Sequence, residues 1–409
     1  MKSENLSGAK KLLIILCFLM YLFYGLYFGG FGANSGSMMK FFGIGESRQG
    51  MIMTVQSVGG IVMAVLLGIA GERINKLKGL LYGLIVMGLA GVLIGTIPSY
   101  SAAGTGYATM LCYSVFGGIG YITIDLLMNG AVADVFRERK TTFLPYVHAF
   151  FGAGSMLAPL FVSFLADPSS PASFSRPYMV IGVFSLLLGV VTFFAVRRVT
   201  PETPYADMAP IRSRASANPL EVFKDIRAWQ FFLCCFLYLC FQTGLVAWLP
   251  RFFEVRLGAP YETANTMLTL YFLGALVIRL ISPAIYRRMP VKRYYLLSIG
   301  ASVIVFAVFL LIPSQSLMLR RIMLVVTGLL QGIAVPSLQL LVTDTFADRT
   351  ASASSAIVLG VSLSALLAPL IMGAIIESAG YMAAMWFITA ALLLSALVLL
   401  TVRNRQTSI

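Results

Sequence analysis

Charged and chemically reactive side chains are scarce in this chain of 409 residues. Charged residues make up 11% of it, and it contains one histidine and five cysteines. The cysteines show no ligand spacing that would indicate a metal site, and the sequence has no nucleophile–base constellation and no phosphate-cradling glycine loop. These absences argue against an enzyme and against a resident cofactor or metal ion.

Long apolar runs fill most of the sequence instead. Apolar residues make up 59% of the chain, and the mean hydropathy is +0.88, above the range of soluble domains. A helix of about 20 apolar residues crosses the hydrocarbon core, and a helix satisfies its own backbone groups there. The sequence therefore predicts an all-α membrane protein with twelve transmembrane helices, at 13–35, 49–71, 79–97, 107–135, 143–165, 178–196, 229–252, 264–286, 294–312, 321–346, 353–376 and 381–402.

The positive charges predict how these helices are oriented. The net charge is +14, and most of the 30 Lys and Arg fall in segments that are cytoplasmic if the N-terminus is inside. This distribution predicts cytoplasmic termini and a location in the inner (plasma) membrane, and it explains the charge without a nucleic-acid partner. The first run follows Lys10 and Lys11 and has no small-residue cleavage site, so we interpret it as a retained helix.

An internal repeat divides the chain in two. The string Leu-Ala-Pro-Leu occurs at 157–160 and again at 367–370, a separation of 210 residues. The same separation relates Gly118 to Gly328, Asp134 to Asp344, Phe136 to Phe346 and Arg139 to Arg349. We therefore predict two six-helix bundles, 1–196 and 229–409, joined by a polar cytoplasmic linker at 197–228. Half-repeats of this kind in an apolar chain are typical of secondary transporters, whose substrate site lies between the halves.

The loop between predicted helices 2 and 3 carries a recognisable motif. Its sequence, Gly68-Ile-Ala-Gly-Glu72-Arg73-Ile-Asn-Lys76, resembles the G-x-x-x-D-R-x-G-R signature of the major facilitator superfamily, with Glu72 in place of the Asp. The resemblance implies two pseudo-twofold-related bundles and a set of charges that hold the cytoplasmic side shut. We predict that this cytoplasmic gate comprises Glu72, Arg73, Asp134, Arg137, Asp344 and Arg349. The alternative is that these are simply solvated charges at helix ends.

Helices 4 and 5 carry a narrower resemblance. The segment from Gly117 to Asn129 has Asp125 four residues before Asn129, and His148-Ala-Phe-Phe-Gly-Ala-Gly opens helix 5. These segments resemble the fucose, glucose and galactose proton symporters, and Gln242 ahead of Trp248 in helix 7 agrees in part. The resemblance implies proton-coupled sugar uptake. Some of these symporters carry a second carboxylate in helix 1, which this chain lacks, and that difference leaves uniport or exchange open.

Asp125 is the acidic residue that lies deepest within a predicted span. An ionised carboxylate at that depth is costly and usually faces a cavity or a partner. Since burial favours the neutral form, Asp125 could take up a proton and release it when its surroundings become wet. Asn129, one turn later, shares its face and could bind a hydroxylated solute. His148 could relay protons. The alternatives are that Asp125 braces helix packing and that His148 is a packing residue.

Further binding candidates are amides and aromatic residues spread over both halves. Amides pair with sugar hydroxyls, and aromatic faces cover the C–H face of a pyranose ring. The candidates are Asn34, Gln56, Gln242, Trp248, Tyr271, Gln331 and Gln339. Gln339 is the repeat equivalent of Asn129, whereas Val335 is the equivalent of Asp125, so any coupling is confined to the N-terminal half. Several of these residues could instead satisfy contacts between helices.

Three functions are compatible with these features. The leading hypothesis is proton-coupled uptake of a small polar solute such as a monosaccharide, by a monomer in the lipid bilayer. The alternative is a proton-driven exporter of drug-like or amphipathic compounds, which the 20 Met and 29 Phe permit. A third is a non-transporting receptor or scaffold, which the lack of a sizeable soluble domain disfavours.

Overall fold

A computed structural model describes residues 7–70, 74–136, 140–199, 219–313, 316–346 and 350–402. In these ranges the protein is helical, and eleven helical segments are long and apolar enough to cross a membrane. One of these, Ala353–Thr401, is 49 residues long and is interrupted at Gly380, where φ is 84° and ψ is 168°. Divided there, the segments give the twelve spans that the sequence predicts, so the all-α membrane fold is confirmed.

The helices fall into two compact units. One unit comprises Met1–Ile44 and Val55–Arg212, and the other comprises Gly45–Thr54 and Ser213–Ile409. The helices are α1 (Gly8–Phe42), α2 (Glu46–Ala70), α3 (Lys76–Tyr100), α4 (Tyr107–Val135), α5 (Lys140–Leu165), α6 (Ser175–Val199), α7 (Ile226–Arg251), α8 (Tyr261–Tyr286), α9 (Val291–Leu311), α10 (Leu317–Gln331), α11 (Ala334–Thr345) and α12 (Thr350–Thr401).

Local polar groups define several helix ends. The Asn75 side chain accepts a hydrogen bond from the Lys78 N–H and caps the start of α3, and Asp225 does the same for α7. Gly43 ends α1 in the left-handed conformation (φ 62°) and donates its N–H to the Met39 carbonyl. Such caps satisfy backbone groups that a helix end leaves unpaired, which matters most near lipid.

The internal repeat reappears in the structure of both units. Phe136 caps the C-terminal end of α4, and Phe346, 210 residues later, caps the end of α11 in the same way. At Gly118 of α4 an added Cβ would lie 1.8 Å from the Gln56 carbonyl oxygen, and at Gly328 of α10 it would lie 2.0 Å from that of Tyr271. Each unit therefore contains, at repeat-equivalent positions, a pair of helices whose backbones touch at a glycine.

The two copies differ at the middle of predicted helix 10. The sequence predicts one helix over 321–346, whereas the structure divides it into α10 and α11 at Gly332 and Ile333. Pro336 has no N–H, so the Gly332 carbonyl loses the partner that a continuous helix would supply. Leu126 stands at the equivalent place in α4, and α4 is unbroken. The proline thus accounts for the break.

The first residues of α2 belong to the second unit. The Glu377 carboxylate of α12 accepts hydrogen bonds from the Ser47 N–H (3.0 Å) and the Ser47 hydroxyl (2.5 Å). The Tyr381 hydroxyl donates to Glu46 at 3.1 Å, and the Thr54 hydroxyl donates to the Leu366 carbonyl at 2.7 Å. These contacts, which involve three turns of α2, explain why residues 45–54 group with α12.

A buried arginine satisfies the end of α9. Arg320 is 1% exposed and donates to the carbonyls of Phe309 (2.9 Å) and Ile312 (2.5 Å). We expect Arg320→Met to lower the unfolding free energy by about 2–4 kcal/mol, because two charge-assisted hydrogen bonds disappear and two carbonyls lose their partner. Thermal unfolding in detergent measures this. Arg321→Met is the control, since Arg321 makes no hydrogen bond to the described part of the chain; equal losses would contradict the prediction.

Candidate functional site

A carboxylate, an amide, an imidazole and a phenol come together in the first unit. The Tyr21 hydroxyl of α1 lies 3.2 Å from Asp125 Oδ1 and 3.3 Å from the Asp125 carbonyl oxygen, so its proton is shared between them. His148 Nε2 lies 3.0 Å from Asn129 Oδ1, and the Tyr21 and His148 rings meet edge to face, with centroids 5.5 Å apart. We name these four residues the Asp125 cluster. The structure therefore brings together the three residues that the sequence singled out in helices 4 and 5.

Aromatic rings line one side of the Asp125 cluster. Tyr24 stacks on Tyr121 with centroids 5.4 Å apart and contacts Phe151 at 4.6 Å. Phe151 also meets Tyr21 edge to face at 6.4 Å. Flat rings beside hydrogen-bonding groups suit a solute with both hydroxyl edges and a C–H face. The sequence analysis did not single out Tyr21 or Tyr121; for Tyr121 the available signal was its position one turn before Asp125, whereas helix 1 carries none for Tyr21.

A second polar group forms around Gln331 in the other unit. The Gln331 side chain is fully buried (0% exposed); it accepts from the Tyr271 hydroxyl at 3.1 Å and donates to Ser302 at 2.6 Å. Tyr238 donates to the Gln331 carbonyl at 3.0 Å. Gln242, on α7, is partly exposed. Tyr271 and Gln331, both predicted binding residues, are thus in direct contact and support the chain next to the helix break.

The remaining binding candidates lie elsewhere in the two units. Trp248 is buried and donates to the Pro369 carbonyl at 3.3 Å, while Gln339 is partly exposed and donates to Ser354 at 2.6 Å. Asn34 is 0% exposed and donates to the Phe174 carbonyl at 2.7 Å; it lies about 20 Å along α1 from Tyr21. Gln56 contributes its carbonyl to the contact with Gly118. The structure does not bring Asn34 to the Asp125 cluster.

The predicted gate falls largely outside the described residues. Glu72, Arg73, Arg137 and Arg349 lie outside them, and of Asp134 only the backbone is described. Asp344 is described, near the end of α11, and is exposed. The cytoplasmic gate therefore stays a prediction.

The Asp125 carboxyl is partly accessible and has no fixed counter-ion among the described residues. Asp125 is partly exposed, while Asn129 and His148 are exposed, so the group is not sealed inside the helices. A single phenolic proton supports the charged carboxylate, and no Lys or Arg forms an ion pair with Asp125 within the described residues. A carboxylate without a fixed counter-ion can change its protonation state with less reorganisation than one in a salt bridge.

Comparison with known proteins identifies the family of this chain. A model described as Major Facilitator Superfamily matches residues 17–359 and 257–408. The chain belongs to the major facilitator superfamily. This confirms the superfamily resemblance of the loop after helix 2. Several proteins with which the chain aligns are named as transporters, among them a cyanate transport protein of Escherichia coli, 24% identical over 237 residues, a match that covers 58% of each chain.

Individual relatives of this major facilitator are distant. The chain is 26% identical over 222 residues to "Bypass of stop codon protein 6" of Saccharomyces cerevisiae, a match that covers 53% of this chain and 41% of the yeast protein. It is 24% identical over 319 residues to a candidate glucose/galactose transporter of Helicobacter pylori, covering 74% of this chain and 75% of that protein. The chain thus spans less than half the length of the yeast relative.

Solved structures show the same fold. A crystal structure of a variant of the nucleoside transporter NupG superposes with a TM-score of 0.79, covering 96% of this chain and 99% of the other, at 16% sequence identity. At that identity the likeness establishes the fold of this major facilitator and leaves its substrate to be argued from its own residues.

Proposed function

We propose that this major facilitator takes up a small polar solute of the monosaccharide class together with a proton. The observation that carries the proposal is the Asp125 cluster: a carboxyl without a salt bridge, held 3.2 Å from the Tyr21 hydroxyl, one turn from an exposed amide that contacts His148. The aromatic wall of Tyr24, Tyr121 and Phe151 suits a pyranose ring. The name of the Helicobacter pylori relative and the motifs in helices 4 and 5 agree with this substrate class.

The proposed cycle follows from the protonation of Asp125. A neutral Asp125 carboxyl lets the solute and proton be carried through a low-dielectric stage, which an ionised carboxylate would oppose. On the cytoplasmic side, water returns, the proton leaves, and the solute dissociates. We also infer that the protein works as a monomer in the inner membrane with both termini in the cytoplasm, as the positive-inside pattern indicates.

Counterflow in proteoliposomes tests the substrate class. Vesicles loaded with D-glucose, D-galactose or L-fucose are diluted into a trace of the labelled sugar, and exchange is followed with and without an imposed pH gradient. We expect counterflow of at least one sugar, and accumulation when the outside is acidic. Efflux of an amphipathic dye driven by proton entry, with no sugar counterflow, would favour the exporter instead. Counterflow that ignores the pH gradient would indicate a uniporter.

Asn129 should contribute to the affinity for the transported sugar. Asn129→Ala removes an exposed amide that contacts His148. We expect the half-saturation concentration for counterflow to rise at least about tenfold, which corresponds to the loss of one or two hydrogen bonds to the solute. The control is Cys112→Ala, on the same helix about 26 Å away and exposed. An unchanged half-saturation concentration for Asn129→Ala would place the amide outside the binding site.

A further inference from the structure

Arg279 is a cation inside a membrane-spanning helix. It lies in the apolar span Tyr261–Ser282 of α8. Large apolar residues form an exposed stripe on one face of this helix: Leu273, Val277, Leu280 and Ile281. At 100° per residue, Arg279 lies on the opposite face, together with the buried Tyr271 and Ala275. Its side chain is therefore directed toward the interior of the second unit and away from lipid.

One nitrogen of Arg279 has a structural task. Its Nε donates to the Gly332 carbonyl at 2.8 Å, the carbonyl that Pro336 leaves without a helical partner. A neutral donor could also satisfy this carbonyl, so the bond explains an N–H at this place and does not by itself explain a full positive charge.

The rest of the guanidinium group has no protein partner in the described ranges. Four of its five N–H groups make no hydrogen bond to a described residue, yet the two terminal nitrogens are not among the fully buried atoms without a partner. No described carboxylate forms an ion pair with Arg279. Asp344, the acidic residue on α11, lies about 18 Å along the helix axis from Gly332. A cation without a counter-ion inside a membrane-spanning helix is costly, and such residues commonly line a substrate or ion pathway.

The surroundings add neutral hydrogen-bonding groups. Gln331 directly precedes Gly332. The Tyr238 hydroxyl donates to the Gln331 backbone carbonyl at 3.0 Å, and the Tyr271 hydroxyl donates to its side-chain oxygen at 3.1 Å. The Tyr286 hydroxyl, two turns later on α8, lies 2.9 Å from the Ser337 hydroxyl on α11. Arg279 is thus held through Nε at a carbonyl whose neighbouring side chains are neutral hydroxyl and amide groups.

We propose that Arg279 binds the carboxylate of the transported solute, which makes the preferred substrate a sugar acid and not a neutral sugar. The inference rests on the proposed function and narrows its substrate class. The terminal nitrogens of a guanidinium match both oxygens of a carboxylate in a bidentate pair. Entry of one proton with one monoanion moves no net charge, so co-transport with Asp125 protonation would be electroneutral.

D-Glucuronate and D-glucose form a matched pair for the test, because they share the pyranose ring and differ in a carboxylate at C6. In proteoliposomes containing the wild-type protein, we expect D-glucuronate to compete in counterflow at least about tenfold better than D-glucose. Arg279→Gln retains an N–H for the Gly332 carbonyl and removes the charge, so it should reduce the D-glucuronate affinity to that of D-glucose. Equal loss for both sugars, or equal affinities in the wild type, would overturn the proposal.

Pro336→Ala separates binding from a capping role. Alanine supplies the missing N–H to the Gly332 carbonyl, so Arg279 is no longer needed there. If Arg279 only stabilises the break, the double variant Pro336→Ala/Arg279→Gln will regain wild-type D-glucuronate affinity, and the proposal is wrong. If the double variant unfolds at the wild-type temperature but still binds D-glucuronate no better than D-glucose, the proposal is supported.

Failure of the sugar hypothesis would be recognisable on its own. If neither sugar exchanges, the proposed function is wrong, and Arg279 is then tested with lactate against lactamide, which differ in charge at nearly equal size. If lactate stabilises the wild-type protein against thermal unfolding and Arg279→Gln abolishes this effect, the anion site is supported although the solute is not a sugar. No stabilisation by lactate would overturn the Arg279 proposal as well.

Discussion

Asp125→Asn is expected to abolish sugar accumulation driven by a pH gradient and to leave counterflow within about twofold of wild type. Asparagine keeps an oxygen for the Tyr21 hydroxyl, which lies 3.2 Å from Asp125 Oδ1, and it mimics the protonated carboxyl in shape. Exchange needs no net proton movement, whereas accumulation does. Transport assays in proteoliposomes, with the pH difference imposed in one set and collapsed by an ionophore in another, measure both quantities.

Asp167→Asn is the matched control for that experiment. Asp167 lies between α5 and α6, where the hydroxyl (2.6 Å) and N–H (2.9 Å) of Ser169 donate to its carboxylate. Those hydrogen bonds hold the pKa of Asp167 below its usual range, so it stays ionised throughout the assay and should not affect coupling. If Asp125→Asn still concentrates sugar, Asp125 braces the helices and coupling lies elsewhere. If both variants lose accumulation, the loss reflects general damage.

Gly118→Ala and Gly328→Ala should each nearly eliminate folded protein. An added Cβ would approach the carbonyl oxygen of Gln56 or Tyr271 to within 1.8 or 2.0 Å, and these acceptors are backbone atoms that cannot rotate away. Overpacking of a core typically costs about 1–3 kcal/mol, and here two helix backbones must also separate. The yield of monodisperse protein in detergent and its unfolding temperature measure the effect.

Gly300→Ala on α9 is the control for both glycines. No atom lies within 4 Å of a Cβ built at Gly300, so alanine there should be neutral or slightly stabilising, since alanine favours helix. The three variants carry the same chemical change inside membrane helices. If Gly118→Ala expresses and unfolds like Gly300→Ala, the contact between α2 and α4 is looser than the structure indicates.

The sequence predicted the fold and part of the site for identifiable physical reasons. Apolar length fixes the spans, and one-turn spacing places Asp125 and Asn129 on one face. The proximity of His148 to Asn129 could be predicted from the sequence because helices 4 and 5 are consecutive. Tyr21 was missed, since no pattern in helix 1 states which of its turns meets Asp125. The register between packed helices depends on side-chain shapes from both, and one sequence does not display it.

The break before Pro336 shows a different limit. The 26 residues of 321–346 predict one helix because their apolar length suits a membrane span, although Pro336 lies among them. Arg279 lies in predicted helix 8, and the sequence does not show what it contacts. Its partner is the Gly332 carbonyl, which becomes available because the helix breaks. Every residue type has a backbone carbonyl, so the sequence does not show which residue accepts such a hydrogen bond.

The break also makes the two halves mechanically unequal. A continuous helix such as α4 resists bending along its whole length, while a helix that lacks a main-chain hydrogen bond concentrates its bending at that point. Tilting of α11 would therefore pivot near Gly332, whose carbonyl is held by Arg279 at 2.8 Å. A ligand that pulls on the guanidinium and a swing of α11 would act on one shared atom, so that occupancy and motion would be coupled through a single hydrogen bond.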